Sequence, residues 1–231
     1  MERRDAINLK LLREQVYDYL RRKMNEGELL PGSSINMESL SSKLGISKTP
    51  LRDALIQLDL EGFVTIIPRR GIIVNRLTIK DIKDTYQIIG ALASSVIIEV
   101  WGRLSPAHID RMKKLNLRMR EAIEKDDFDL YYSKNLDFHN VYLNLSQNET
   151  LVRWVMILKQ RLYDFPRRKG YVREWEESSI KEHDELIKLI EMGDKEGAAG
   201  FLRDVHWSFS VQEKFIKRYY PFYENEVRAK V

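Results

Sequence analysis

One stretch constrains this chain more than any other: GISKTPLRDALIQLDLEGFV, Gly45 to Val64. At helical spacing, Leu51, Ala54, Leu55 and Leu58 share one face. Ser47 is suited to cap the helix, and Pro50 falls in the first turn, where a missing N–H costs nothing. Lys48, Thr49 and Arg52 then occupy the opposite side of that first turn. The apolar face must rest on the helix's own domain, which holds two cations and a hydroxyl outward.

The flanking segments extend this pattern. LKLLREQVYDYLRRKMNEG reads as a helix with Leu12, Val16, Tyr19 and Leu20 on one side and Gly27 just past its end. Pro31-Gly32 is a turn signal. NMESLSSKLG is a short helix carrying Met37, Leu40 and Leu44, stopped by Gly45. FVTII and GIIVNRL are β-branched and flank PRR, which predicts a two-stranded hairpin. After about Asn75 the periodicity is helical throughout. Six stretches follow, 79–102, 106–125, 127–146, 149–165, 175–192 and 194–219, broken at LSP, KDD, SQNE, FPRRKG and MGD. The expected architecture is mainly α. A three-helix, one-hairpin domain spans 1–76, and an all-α helical bundle spans 77–231, with Thr78 as N-cap of its first helix.

Composition narrows the function. The 231 residues are 43% hydrophobic and 32% charged, as in a globular protein. With no cysteine, disulfide and thiol chemistry are excluded, and a cytoplasmic setting is expected. The most apolar run, IIGALASSVIIEVW, is too short and interrupted to span a bilayer, and MERRDAINLKLLREQ lacks the apolar core of a signal peptide. The pI of about 9.1 suits an anionic partner. The charge excess lies mostly in residues 1–77, with 13 Lys/Arg against 10 Asp/Glu; the remainder holds 26 against 25.

Two short helices joined by a tight turn, the second polar at its N-terminus, form a helix-turn-helix, whose second helix enters the DNA major groove. Arg52 could pair with guanine, and Ser47, Lys48 and Thr49 could reach phosphate or bases. The hairpin tip, Arg69, Arg70 and Gly71, forms a wing suited to backbone or minor-groove contact. Singly, each of these is an ordinary solvated surface residue. Their order and spacing together are what point to double-stranded DNA.

LLPGSSINMESLSSKLGISKTPLRDALIQLDLEGFVTIIPRRGIIV resembles the winged helix-turn-helix of GntR-type bacterial transcription regulators. The matching residues are Pro31-Gly32, Leu40, Leu44-Gly45, Ser47, Thr49-Pro50, Arg52, Ala54-Leu55, Leu58, Glu61-Gly62 and Gly71. The resemblance implies DNA contacts from Ser47, Lys48, Thr49, Arg52 and the wing, and a homodimer reading a palindromic operator, usually as a repressor. Two positions depart from it. Lys48 stands where Arg is commoner, and Glu38 where relatives often place a cation.

The helical half resembles the FCD effector domain of the FadR subfamily. NLDFHNVYLNLSQNETLV, EHDELIKLIEMGDKEGA and FLRDVHWSF are similar to its three ligand-bearing helices. There an Asp and three His hold a divalent metal at the floor of a pocket for a small carboxylate effector. The matching positions are Asn135, His139, His183 and His206, and the implied metal is Zn, Ni or Mn. Asn135 stands in place of the Asp. Asp137 cannot replace it, being on roughly the opposite helix face. Counted from Gly193-Asp194, the third histidine is due at Val205. His206 is one step late, about 100° around a helix, so the register must adjust or His206 must point away. The pocket's usual Arg and Glu fall on Ile89 and Ala93, which leaves Arg161 as a candidate anion anchor, with Tyr132, Tyr142 and Trp207 as lining residues.

The alternative is an enzyme: a helical metal-dependent hydrolase carrying a DNA-binding domain, its three histidines activating water. Against it, the sequence has no H-E-x-x-H, G-x-S-x-G or P-loop. A second alternative is a DNA binder without sequence preference.

Overall fold

The computed structural model describes residues 12–163 and 172–220. These divide into two compact units at Leu77–Thr78.

The first unit runs α1 (Leu12–Asn25), β1 (Ser34–Ile35), α2 (Met37–Leu44), α3 (Lys48–Leu60), β2 (Val64–Ile67) and β3 (Gly71–Val74). Leu51, Ala54, Leu55 and Leu58 of α3 are all buried, as their spacing predicts. Each contributes about 1.5–3 kcal/mol if it is a full-sized apolar side chain, and less for Ala54. On α1 the buried face is Val16, Leu20, Arg21 and Met24. It is therefore rotated from the expected one: Leu12 is exposed and Tyr19 only half-buried. Arg21 enters the core because its guanidinium stacks 3.7 Å from the centre of the Phe63 ring. β2 and β3 pair antiparallel with Val64 opposite Val74 and Ile66 opposite Ile72. The sheet has a third strand that the sequence pattern did not predict. β1 pairs with the far edge of β3, Ser34 opposite Ile73. Two residues are too few to show an alternation, so β1 is specified by β3, not by its own sequence.

The second unit is all-helical: α4 (Ile79–Val100), a 3-10 turn at Trp101–Arg103, α5 (Pro106–Glu124), α6 (Phe128–Leu143), α7 (Glu149–Tyr163), α8 (Arg173–Glu191), α9 (Lys195–Phe201) and α10 (Phe209–Tyr219). Thr78 and Asp81 form a reciprocal capping box at the start of α4. Among the described residues no helix is long and apolar enough to cross a membrane. The predicted break at FPRRKG, and the end of the helix before it, lie outside the described residues. Through Lys159, α7 belongs to this unit; from Gln160 onward it is grouped with the first.

The last stretch, 194–219, is not the single helix its periodicity suggests. Between α9 and α10 the chain makes a π-helical turn, Leu202–His206, and then breaks at Trp207-Ser208. A π-turn takes one residue more than an α-turn to cover the same arc. Gly90 of α4 makes room for it: a Cβ there would lie 3.1 Å from the Cβ of Trp207 and 3.2 Å from the carbonyl oxygen of Arg203.

Candidate functional site

In the first unit, Asn36 caps α2 by accepting from the N–H groups of Glu38 and Ser39. Gly45 ends α2 in the left-handed conformation, φ 63°, that a tight turn requires. Ser47 occupies the N-cap position of α3 but makes no side-chain capping bond, so its hydroxyl remains available. Thr49 and Arg52 are exposed, and Arg52 forms no ion pair or hydrogen bond among the described residues. Lys48 is also exposed, with its ammonium 3.0 Å from the Glu38 carboxylate. The wing turns at Pro68 to Arg70, closed by the Arg70 N–H donating to the Ile67 carbonyl at 3.0 Å. Arg52, Arg69, Arg70 and Gly71 line one groove of about 600 Å³ between α3 and the wing. Side chains from two separate elements thus share a single basic concavity.

In the second unit three histidines meet. His139 of α6 and His183 of α8 are fully buried, and His206 of the π-turn is 8% exposed. One nitrogen from each lies within 4.8 Å of the others. Each Nδ1 is held from outside the cluster. His206 Nδ1 is 2.7 Å from Glu182 Oε2, His183 Nδ1 is 3.2 Å from Asn116 Oδ1, and His139 Nδ1 is 3.1 Å from the Tyr142 hydroxyl. A carboxylate can only accept, so His206 carries its proton on Nδ1. The Asn116 amide nitrogen already donates to the Ile180 carbonyl and to Asp184, so its oxygen accepts from His183 in the same way. Fixing Nδ1–H leaves the lone pair on Nε2. The Nε2 atoms of His139 and His206 are 3.3 Å apart, and His183 Nε2 is buried with no hydrogen-bond partner. Burial, reinforced by the nearby Lys159 and His206 charges, holds the His139 and His183 rings well below the usual histidine range and hence neutral.

This arrangement fits a cation. Two imidazole nitrogens at about 2.0–2.1 Å from one tetrahedral ion stand about 3.3 Å apart. Asn135, one turn before His139 on the same helix face, has its side-chain oxygen buried with no hydrogen-bond partner. The π-turn resolves the register of His206: the extra residue brings it into the cluster in place of Val205.

The other predicted residues separate. Tyr142 is at the cluster, and the Trp207 ring centre lies 5.9 Å from that of His139. Tyr132 stacks on Phe128 at the start of α6 instead. Arg161, the candidate anion anchor, lies elsewhere. Its guanidinium lies beside Gly62, 3.0 Å from where a Cβ there would be, within the first unit. The reason is its helix face, two residues on from Lys159. The sequence reading missed Asn116, Glu182 and Lys159. Lys159 had a signal: it follows Val155 by four and precedes Leu162 by three, both buried positions on the same face.

A winged helix-turn-helix with a basic groove, joined to a helical unit with a buried histidine centre, defines a ligand-type regulator architecture. Residues 12–74 match the bacterial regulatory proteins of the gntR family, and residues 84–205 match the FCD domain. The chain belongs to the gntR family, with the FadR-like combination of domains, and is a DNA-binding transcription regulator. It is 24% identical over 186 residues to the HTH-type transcriptional regulator YdhC of Bacillus subtilis, covering 80% of this chain and 83% of that one. It is 24% identical over 208 residues to a probable D-xylose utilization operon transcriptional repressor of Paenarthrobacter nicotinovorans, covering 83% and 86%. The fold is similar to that of E. coli McbR/YncC, with a TM-score of 0.68 and 20% identity over 91% of this chain and 99% of that one. These relatives are regulators and not enzymes, so the hydrolase alternative falls.

Proposed function

We propose that this regulator acts in the bacterial cytoplasm as a homodimer that represses transcription by binding a palindromic operator, and that a small carboxylate effector controls it at a metal held by the histidine cluster. His139, His183 and His206 would each supply Nε2, and Asn135 its side-chain oxygen. Such a metal supplies a Lewis-acidic position for an effector oxygen. Zn suits the three nitrogen donors and the 3.3 Å spacing of the His139 and His206 Nε2 atoms, with Ni or Mn as the other candidates. The observation that carries this reading is the convergence of three Nε2 atoms whose partner nitrogens are all held elsewhere.

At the DNA, Arg52 would read bases. Ser47, Lys48 and Thr49 would contact the backbone at the mouth of the major groove, with Arg69, Arg70 and Gly71 of the wing at the neighbouring groove. Effector binding can alter operator affinity only by as much as its own affinity differs between the DNA-bound and free arrangements of the dimer. The test is elemental mass spectrometry of the tag-free protein beside a His139→Ala variant. Close to one transition metal per chain, lost in the variant, is the expected result. No metal after incubation with Zn, Ni and Mn would remove the metal from this reading.

A further inference from the structure

Lys159 is 2% exposed, yet among the described residues it makes no hydrogen bond and no ion pair. Its Nζ lies 5.5 Å from the centre of the Trp207 ring. That ring is in turn 5.9 Å from the His139 ring and 5.2 Å from the His206 ring. The indole thus packs against both the Lys159 Nζ and the histidine cluster, and burial without a partner pushes the Lys159 amine down to about 7. A buried lysine ordinarily finds a carboxylate. The candidates are engaged elsewhere. Glu182 accepts from His206 and Gln212, Asp184 from Asn116 and Arg120, and Asp137 from Lys134. An indole face offsets only part of an ammonium's desolvation.

Position 135 adds to the same imbalance. Its side chain is an amide with an unpartnered buried oxygen, so the cluster's own donors are all neutral. Among the groups bonded to the three histidines, Glu182 is the one carboxylate. A divalent ion would bring two positive charges against that single negative one, and Lys159 adds a third only when it is protonated, which burial without a partner opposes. An anionic ligand group beside Lys159 would hold it protonated and supply the counter-charge that the site itself lacks.

We propose that the effector is a small organic acid with two anionic groups, one directed to the histidine cluster and the other held by Lys159 across the Trp207 indole. This rests on the reading of the cluster as the effector site. It goes further in naming the charge of the ligand and the residue that selects it. Lys159 is thus a specificity residue, placed where Arg161 cannot serve.

The experiment is isothermal titration of the full chain, its metal content measured on the same sample, with malonate, succinate and glutarate against acetate and butyrate. The same series is run on Lys159→Met, which keeps an unbranched side chain and removes a buried charge. The expected result is a preference for one of the diacids of about tenfold or more, the scale of one charge-assisted hydrogen bond. That preference is lost in Lys159→Met, while metal content and monoacid binding are kept. Equal affinity for monoacids and diacids in the wild-type protein, which needs no variant to fold, would overturn the proposal. So would a diacid preference that survives in Lys159→Met. A Lys159-dependent diacid preference in protein that holds no metal would support Lys159 as anchor while removing the metal, so the two readings fail separately.

Discussion

The Nε2 atoms of His139 and His206 face each other at 3.3 Å, although the residues lie on different helices and 67 positions apart. Neither ring chooses this freely. Tyr142 holds the Nδ1 of one and Glu182 that of the other, so both present the same nitrogen to the same point. At that distance either a metal ion lies between them or one ring donates an N–H to the other, which a neutral His139 can do when Tyr142 donates to its Nδ1. Neither arrangement needs a charged imidazole, which burial would make costly because it would lose its hydration.

That cost has a pH signature in the metal-free protein. His139 and His183 are held well below 6.5 in the folded state, chiefly by burial. The unfolded chain takes up protons at these rings as pH falls through about 6.5, and the folded chain does not. Protonation therefore favours unfolding. The stabilisation is complete above that pH and is lost below it, approaching about 1.4 kcal/mol per pH unit for each ring. Glu176, pushed up to about 7 by burial, works in the opposite direction over the same range, so the histidine contribution is read as a difference between proteins. Urea denaturation of chelator-treated protein at pH 7.5 and 5.5 should show a smaller loss of stability on acidification in His139→Asn than in the wild type. The same change in both proteins would mean that His139 titrates normally.

The position of His206 depends on Gly90. A Cβ at Gly90 would press on the Cβ of Trp207 at 3.1 Å and on the carbonyl oxygens of Arg203 and Trp207 at 3.2 and 3.3 Å, most of it backbone that cannot swing aside. Gly90→Ala should destabilise the protein by about 1–3 kcal/mol and weaken metal binding by displacing the π-turn. Gly200→Ala is the control. Its new Cβ would come no closer than 3.9 Å to Asp204 in an ordinary helix, so it should be neutral or stabilising by up to about 1 kcal/mol. Thermal melts and a competitive zinc titration measure both. A Gly90→Ala protein with wild-type zinc affinity would show that the π-turn does not need this clearance.

What could be read from the sequence was what a short period encodes. Leu51, Ala54, Leu55 and Leu58 recur at helical spacing, and Val64, Ile66, Ile72 and Val74 alternate, so α3 and the hairpin were legible from local pattern. His183 shares a helical stripe with Ile180, Ile187 and Ile190, so its burial was legible from that spacing. The π-turn left no such trace, because one extra residue in a helix changes the register without changing composition. Glu182 adjoins His183 in sequence and so points away from it on α8, and for that reason it reaches His206, a contact fixed only by the packing of α8 against the π-turn. Arg21 and Lys159 were legible as helical but not as buried, since a charge at an apolar position is excused only by a partner distant in sequence, Phe63 for one and Trp207 for the other.

Glu38 stands beside Lys48 at 3.0 Å on the face proposed to meet DNA, with both side chains more than half exposed. An exposed pair of this kind contributes little to folding, about 0–1 kcal/mol. Next to phosphates it would oppose binding, because Glu38 would repel them and occupies Lys48. Glu38→Gln should leave stability unchanged and tighten operator binding by a few-fold, with a steeper salt dependence as Lys48 becomes free to displace a counterion. Arg52→Ala should act in the opposite direction, losing about 1–3 kcal/mol of affinity and relaxing sequence preference without a change in melting temperature. Fluorescence anisotropy across a salt series resolves both. A Glu38→Gln variant with unchanged affinity at every salt concentration would place that pair away from the DNA.

Arg69 separates folding from binding at a single position. It lies in the left-handed region at φ 63°, third in the turn Ile67-Pro68-Arg69-Arg70, where a type II turn calls for glycine. A side chain there costs on the order of 1 kcal/mol. Arg69→Gly should therefore raise stability, by about 1 kcal/mol or less because glycine also loosens the unfolded chain. The same change removes a guanidinium from the basic groove. Affinity should fall for operator and random DNA alike, with the salt slope reduced by about one counterion. Arg70→Ala removes a charge from the next position without touching the strained one, so it should weaken binding with no gain in stability. If Arg69→Gly melts with the wild type, the turn holds no strain. If it binds DNA with an unchanged salt slope, the wing does not reach the phosphates, and the groove between α3 and the wing is not the DNA surface.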